Sequence, residues 1–362
     1  MQYRLPALLI DKTKCLENIS GMAFKVKKSD AEFRPHFKTH QSLEVGNWFR
    51  DFGVTSITVS SVAMAEYFAS AGWEEITIAF PVNIHDTKRL NELSEKCKIN
   101  ILVSAQQVIE LIKNEIKKPI GFFIEMDNGY RRSGIPFKEF DVFEDIIFEA
   151  NGSKLQFKGF HCHPGNTYQA KSKDDILKIH KNAAEQLNGL KIMFSTIYPE
   201  IKVSLGDTPS CSLTEHFDDL DIISPGNFVF YDVMQKNLGV CKAEQIAVAL
   251  AAPIVAVYPE RNELVIQAGA VHLSKEFVEM PDKRKTYGLV CLPDGKKWGE
   301  PVNGLNLVSL SQEHGIVHFA ENFKGKLKVG DIMCILPVHS CLTAACIKQY
   351  SDLEGNIIEM MK

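Results

Sequence analysis

Between residues 31 and 230 short apolar runs alternate with helical patterns, and this alternation constrains the fold more than any other feature of the chain. The predicted strands are 32–37, 55–60, 75–80, 100–104, 120–127, 156–163, 202–205 and 220–224. Helical patterns lie between them at 41–52, 61–71, 85–97, 105–115, 140–150 and 174–196, and another at 11–28 precedes the first strand, with Asp11 as its N-cap. Strands that are apolar almost throughout, separated by helices, indicate a parallel sheet covered on both faces. Eight in succession favour a closed (β/α)8 TIM barrel over an open doubly wound sheet.

After about residue 240 the texture changes. Segments such as QIAVALAAPIVAVYP, GIVHFA and DIMCILPVHSCLTAACIKQY are β-rich, with turns at Asn262, Gly269 and KVGD. The expected organisation is a barrel over 1–240, its first residues free to pair with the second domain, and an antiparallel β domain over 241–362. A net charge of −4 with no long basic run argues against nucleic acid, and no apolar run reaches the length of a membrane span. The N-terminal YRLPALLIDKTK reads as a strand and not as a leader peptide. Nine scattered cysteines without a C-x-x-C pair point to reduced thiols and a cytoplasmic setting.

Chemistry in such a barrel sits at the C-terminal ends of the strands. Polar residues cluster there: RPHFKTH after the first strand, MDNGYRRSG after the fifth, HCHPGNTY after the sixth, LGDTPS after the seventh and SPGN after the eighth. Lys38 lies between His36 and His40, in company that disfavours its charge, which makes it a candidate nucleophile as well as an ordinary surface lysine. GDTPS, with Thr208 and Ser210, and PGN, with the amides of Gly226 and Asn227, have the character of phosphate-binding turns. A lysine on the first strand and phosphate turns on the last two suit an aldehyde cofactor with a phosphate tail. His161 and His163, two apart on one strand face, are an alternative metal pair.

In order and spacing, RPHFKTH, RRSG, GFHCHPGNTY, SLGDTPS and SPGNFVFYD resemble the alanine-racemase-like (fold type III) pyridoxal phosphate enzymes, and within them the D-threonine aldolase and D-serine dehydratase family. The resemblance implies pyridoxal 5'-phosphate, with Lys38 as the Schiff-base lysine. It also implies that Arg132 contacts the cofactor's phenolic oxygen, with its neighbour Arg131 as the alternative. His163 would lie against the pyridine ring with Tyr168 nearby, and Thr208, Gly226 and Asn227 would hold the phosphate. The chain departs from alanine racemase at Ser224, where that enzyme has an arginine bonding the pyridine nitrogen.

A second constellation is His339 and Cys341 in PVHSCLT. Read as a strand, the pair projects from one face, which is half of a metal site; a buried cysteine beside a hydrogen-bonded histidine is the plainer reading. The resemblance implies a divalent metal at this pair, zinc first and manganese or magnesium as alternatives, with His314 of SQEHG lining the site. A Cys at the second position is the dehydratase-like variant and an Asp the aldolase-like one. The expected function is a metal-assisted lyase acting on a small D-β-hydroxy amino acid. Its outcome is either retro-aldol cleavage to glycine and an aldehyde or dehydration to a 2-oxo acid and ammonia. A metal-free amino-acid racemase and a non-catalytic cofactor-binding protein are the alternatives. A homodimer is expected by resemblance.

Overall fold

The computed structural model describes residues 5–280 and 282–362. The chain divides into two compact units, one of Ser20–Gly226 and one of Met1–Ile19 with Asn227–Lys362.

The first unit holds eight parallel strands: Glu32–Phe33, Ser56–Val59, Glu75–Pro81, Lys98–Val103, Ile120–Asp127, Leu155–Cys162, Lys202–Leu205 and Ile222–Ile223. Each pairs in parallel with its neighbours, and a bridge between His36 and Thr58 joins the first strand to the second and closes the barrel. The first strand is shorter than its apolar run predicts. Pro35 has no N–H for the ladder, yet its carbonyl accepts from Thr58 N at 2.9 Å and Phe37 N donates to Thr58 O at 2.8 Å, so the pairing runs on to Phe37. The fifth strand, IGFFIEMD, is buried from Ile120 to Met126 because the barrel interior and the helix layer cover its two faces.

The helices form where their caps and periodicity direct. Ser61, Ser172 and Asp207 each accept a backbone N–H in the first turn of the helix that follows. Helix Lys173–Ser195 buries Ile176, His180, Ala183, Leu187, Leu190 and Phe194, steps of three and four that keep one stripe inward.

In the second unit, strands Val248–Tyr258, Glu263–Ile266, Gly315–Phe319, Lys297–Leu310, Gly288–Asp294 and Ile332–Pro337 pair antiparallel in that order, and the last returns to the first as a six-stranded barrel. Leu250, Ile254, Leu264, Leu307, Val317, Met333 and Ile335 fill it. Strand Ala7–Ile10 pairs antiparallel with residues 248–251 and in parallel with Gln349–Asp352. One expectation is corrected here. DIMCILPVHSCLTAACIKQY is not strand throughout: after strand Ile332–Pro337 the chain forms helix Ser340–Ile347 and then strand Gln349–Asp352. Pro337 ends the ladder, and Leu342, Ala344 and Ala345 favour helix more than the β-branched Thr343 and Ile347 favour strand.

Candidate active site

Lys38 owes its position to period-two alternation around Phe37. Phe37 is fully buried, with ring centroids 5.0 Å from Phe49, 5.0 Å from Phe68 and 5.2 Å from Trp73. With Phe37 fixed outward in the helix layer, His36 and Lys38 face the barrel mouth. The turn is completed by Lys38 N donating to His36 Nδ1 at 3.2 Å, by Gln41 Nε2 donating to Lys38 O at 3.1 Å, and by Gln41 itself in the left-handed region at φ 49°.

A cavity of about 620 Å³ opens at these C-terminal strand ends, and Lys38, Arg132 and His163 all line it. Arg132 follows a tight turn in which Asp127 Oδ1 accepts from Gly129 N at 3.0 Å and from Arg131 N at 2.9 Å. Its guanidinium lies 5.4 Å from the Tyr130 ring centroid. His163 donates from Nδ1 to Gly206 O at 2.5 Å, which fixes the ring and its tautomer.

The remaining expected residues do not line the cavity. Tyr168 is in the same loop as His163, its ring centroid 6.3 Å away. Thr208 is buried at the first position of helix Thr208–Leu213, whose cap Asp207 accepts from Ser210 N at 2.8 Å and from Thr167 Oγ1 at 2.8 Å. Gly226 packs on the lysine turn so closely that a Cβ there would stand 2.9 Å from His36 O.

Further residues line the cavity beside the expected ones. Glu125, buried, accepts from Ser104 Oγ at 2.8 Å and Ser133 Oγ at 2.9 Å, and is the one carboxylate among the lining residues. A charge inside IGFFIEMD was the available signal. His36, His161, Gly206 and Ser224 also line the cavity. At Gly206 a Cβ would stand 2.2 Å from Ser224 Oγ and 2.5 Å from Ser224 O, so the seventh and eighth strand ends can meet only through glycine.

Burial pushes the three imidazoles toward their neutral forms. Burial, reinforced by Arg132, takes His163 down to about 4 against the pull of the Gly206 carbonyl. Burial takes His161 to about 3, helped by the charges of His163 and Arg132, and burial with Lys38 beside it holds His36 well below its ordinary value. Lys38 and Arg132, the two basic side chains on the cavity wall besides the histidines, converge where a phosphorylated aldehyde with an acidic phenol would sit. These residues fit pyridoxal phosphate.

The second unit contains the other expected pair, in a corrected geometry. His339 is the N-cap of helix Ser340–Ile347 and Cys341 is in its first turn, so a helix start, not a strand face, brings them together. His339 Nδ1 is 2.8 Å from Glu276 Oε2. Burial lowers the affinity of His339 for a proton, but hydrogen bonds to Cys341 and Glu276 and the charges of Cys341 and Asp232 outweigh it and push the pKa up to about 11. Such a donor set draws positive charge to this point, which suits a metal ion, with the carboxylate orienting the imidazole from behind. Among the described residues no group of three or more His, Cys, Asp or Glu is arranged to hold a metal, so the pair offers two donors. The Asn227 amide is committed here: Nδ2 lies 2.8 Å from Asp232 Oδ2, 2.8 Å from Ser340 Oγ and 3.5 Å from Cys341 Sγ.

No helix of the described residues is long and apolar enough to cross a membrane. A family model of the alanine racemase N-terminal domain matches residues 10–232, and one of a serine dehydratase domain matches residues 247–351. The chain is 31% identical to a D-serine dehydratase of Dictyostelium discoideum, over 97% of this chain and 93% of that one. It is 26% identical to a D-threo-3-hydroxyaspartate dehydratase of Delftia sp., over 97% of this chain and 94% of the relative. The solved structure of that Delftia enzyme superposes with a TM-score of 0.93 at 24% identity, covering 99% of this chain and 98% of the other. The D-threonine aldolase of Filomicrobium marinum shares the fold at a TM-score of 0.82 and 19% identity, covering 99% and 94%. The chain belongs to the alanine racemase N-terminal domain family, in a form whose sequence continues into a serine dehydratase domain.

Proposed function

We propose that the protein is a pyridoxal-phosphate- and divalent-metal-dependent lyase that dehydrates a small D-β-hydroxy amino acid to a 2-oxo acid and ammonia. The observation that carries this reading is the convergence of Lys38, Arg132 and His163 in one cavity at the C-terminal mouth of the barrel. The relatives named as D-serine and D-threo-3-hydroxyaspartate dehydratases favour dehydration over retro-aldol cleavage.

When bound, the cofactor supplies an electron sink for charge developing at the substrate Cα, and the metal a Lewis acid for the departing β-hydroxyl. Lys38 would hold the cofactor's aldehyde carbon and would be placed to move the Cα proton. Arg132 would offset the phenolate charge. His163, fixed by Gly206 O and pushed by burial toward its neutral form, would lie against the ring without adding positive charge to it. Thr208 and Gly226, which stand behind the cavity wall and not on it, would hold the phosphate, and Asn227 would contribute its backbone N–H, because its side-chain amide is engaged at Asp232 and Ser340. With Ser224 in place of an arginine, the eighth-strand motif would offer the pyridine nitrogen a hydroxyl in place of a cation.

His339 and Cys341 would hold the metal, zinc by donor chemistry, and it would supply a Lewis acid for the β-hydroxyl. Solved structures of the Delftia relative include a Cys-to-Ala variant in a metal-free form, which supports a cysteine metal ligand in this family. We also propose a homodimer.

The test is product analysis of pyridoxal-phosphate-loaded protein with D-serine and D-threonine, each with zinc, manganese or chelator. A 2-oxo acid and ammonia, lost on chelation, is the expected result. Glycine and acetaldehyde would establish the aldolase instead, and chelator-insensitive appearance of the L-enantiomer would replace both with a racemase. Lys38→Ala is expected to abolish turnover and the cofactor's protein-bound visible absorbance.

A further inference from the structure

The barrel has a second opening, at the N-terminal ends of its strands. It encloses a cavity of about 500 Å³ lined by Arg34, Lys98, Lys158 and Lys202 together with Glu75 and Glu200. The cluster of Leu102, Phe123 and Ile222, with Ala79 against it, fills the barrel axis; Leu102 lines the catalytic cavity and Phe123 the lower one, so apolar side chains separate the two.

The four cations are not equivalent. Arg34 is spent inside the protein, donating to Glu32 at 2.6 and 2.8 Å and to Glu75 at 2.7 Å. Lys202 is shared with Glu32 at 3.3 Å. Lys98 and Lys158 have no carboxylate within 4.0 Å among the described residues, and Lys158 donates only to the neutral Gln156 Oε1, at 3.0 Å. Glu200 is the single lining carboxylate outside the Arg34 network.

Backbone geometry brings the lysines to this mouth. The sixth strand carries a bulge at Gly159, whose φ of +133° and approach to Lys202 (a Cβ would stand 1.8 Å from Lys202 O) admit only glycine. Phe157 and Phe160 both pack outward, ring centroids 5.3 Å apart, so Gln156 and Lys158 face inward below the bulge and His161 above it. Gly121 leaves room on the wall for the Asn100 amide, whose Oδ1 would lie 2.0 Å from a Cβ at that position.

We infer that this lower cavity binds a small dianion, a short dicarboxylate or a phosphate, held between Lys98 and Lys158 with the Gln156 amide as a further donor; the Asn100 amide is engaged at Glu75 and Thr77. A cleft lined by a surplus of cations concentrates such anions. Neither lysine has a role in the proposed chemistry, and the inference does not depend on that chemistry.

The test is calorimetric titration of cofactor-loaded protein with succinate and with inorganic phosphate at constant ionic strength. The wild type is compared with Lys158→Gln, with Lys98→Ala/Lys158→Ala, and with Arg132→Ala in the catalytic cavity. The expected result is saturable binding at one site, weakened roughly tenfold by Lys158→Gln, lost in the double variant and unchanged in Arg132→Ala. Binding of succinate alone would mark the ligand as an organic dicarboxylate, and of phosphate alone as a phosphate. Absence of saturable binding, survival in the double variant, or loss in Arg132→Ala would overturn the inference. Circular dichroism of each variant separates lost binding from lost folding.

Discussion

Replacing His40 with asparagine should remove one defined part of the protein's acid sensitivity. His40 is fully buried, its ring 4.4 Å from Phe37 and 5.8 Å from Phe49 by centroid, and its Nδ1 accepts from Ser42 N at 3.2 Å. Burial lowers its pKa from 6.5 to about 3. A base whose folded pKa is depressed stays neutral in the native state while the unfolded chain takes up a proton. Its contribution to stability is therefore complete above 6.5 and is lost as the pH falls from there toward about 3. Between pH 7.5 and 5.5 an unfolded histidine passes from about one-tenth to about nine-tenths protonated, which corresponds to about 1.4 kcal/mol. His40→Asn keeps an oxygen for Ser42 N and removes the titration. Urea unfolding of both proteins at the two pH values gives the double difference, in which the other buried histidines cancel. The wild type should lose about 1.4 kcal/mol more than the variant on acidification. Equal losses would refute the argument, because His40 would then be titrating normally in the folded state.

Phe37→Ala should cost about 3–5 kcal/mol in thermal or urea unfolding and, by loosening the turn behind it, weaken cofactor retention as well. Gly159→Ala forces a left-handed residue against the Lys202 carbonyl, and a loss of roughly 3 kcal/mol or more is expected from its melting curve. Glu276→Gln leaves His339 and Cys341 in place but weakens the partner of His339 Nδ1; competition with a chromogenic chelator should show metal affinity falling roughly tenfold to a hundredfold.

Much of the barrel was legible because its signals are local. Each strand is a short apolar run, each helix a stripe at steps of three and four, and a polar cluster punctuates each strand end. Lys38, Arg132 and His163 could be picked from such clusters because alternation along a strand fixes which side chains face the mouth. The His339–Cys341 segment misled for the same reason: CLTAAC satisfies strand and helix patterns equally, and the ladder broken at Pro337 decides between them. Glu125 was hidden in an apolar strand, since a carboxylate there is tolerable only once Ser104 and Ser133 from other segments donate to it.

By itself the sequence determined the alternation of strands and helices, the class of fold it must close into, and the short list of residues able to do chemistry. Only the tertiary structure decided which of those residues share a cavity, that the Asn227 side chain serves Asp232 and Ser340, that burial lowers the proton affinity of three histidines at the mouth, and that four basic residues meet at the opposite end of the barrel. The physical reason is range: periodicity and capping act within a few residues, whereas burial, pKa and hydrogen-bond partnership depend on groups that are neighbours only after the chain has closed.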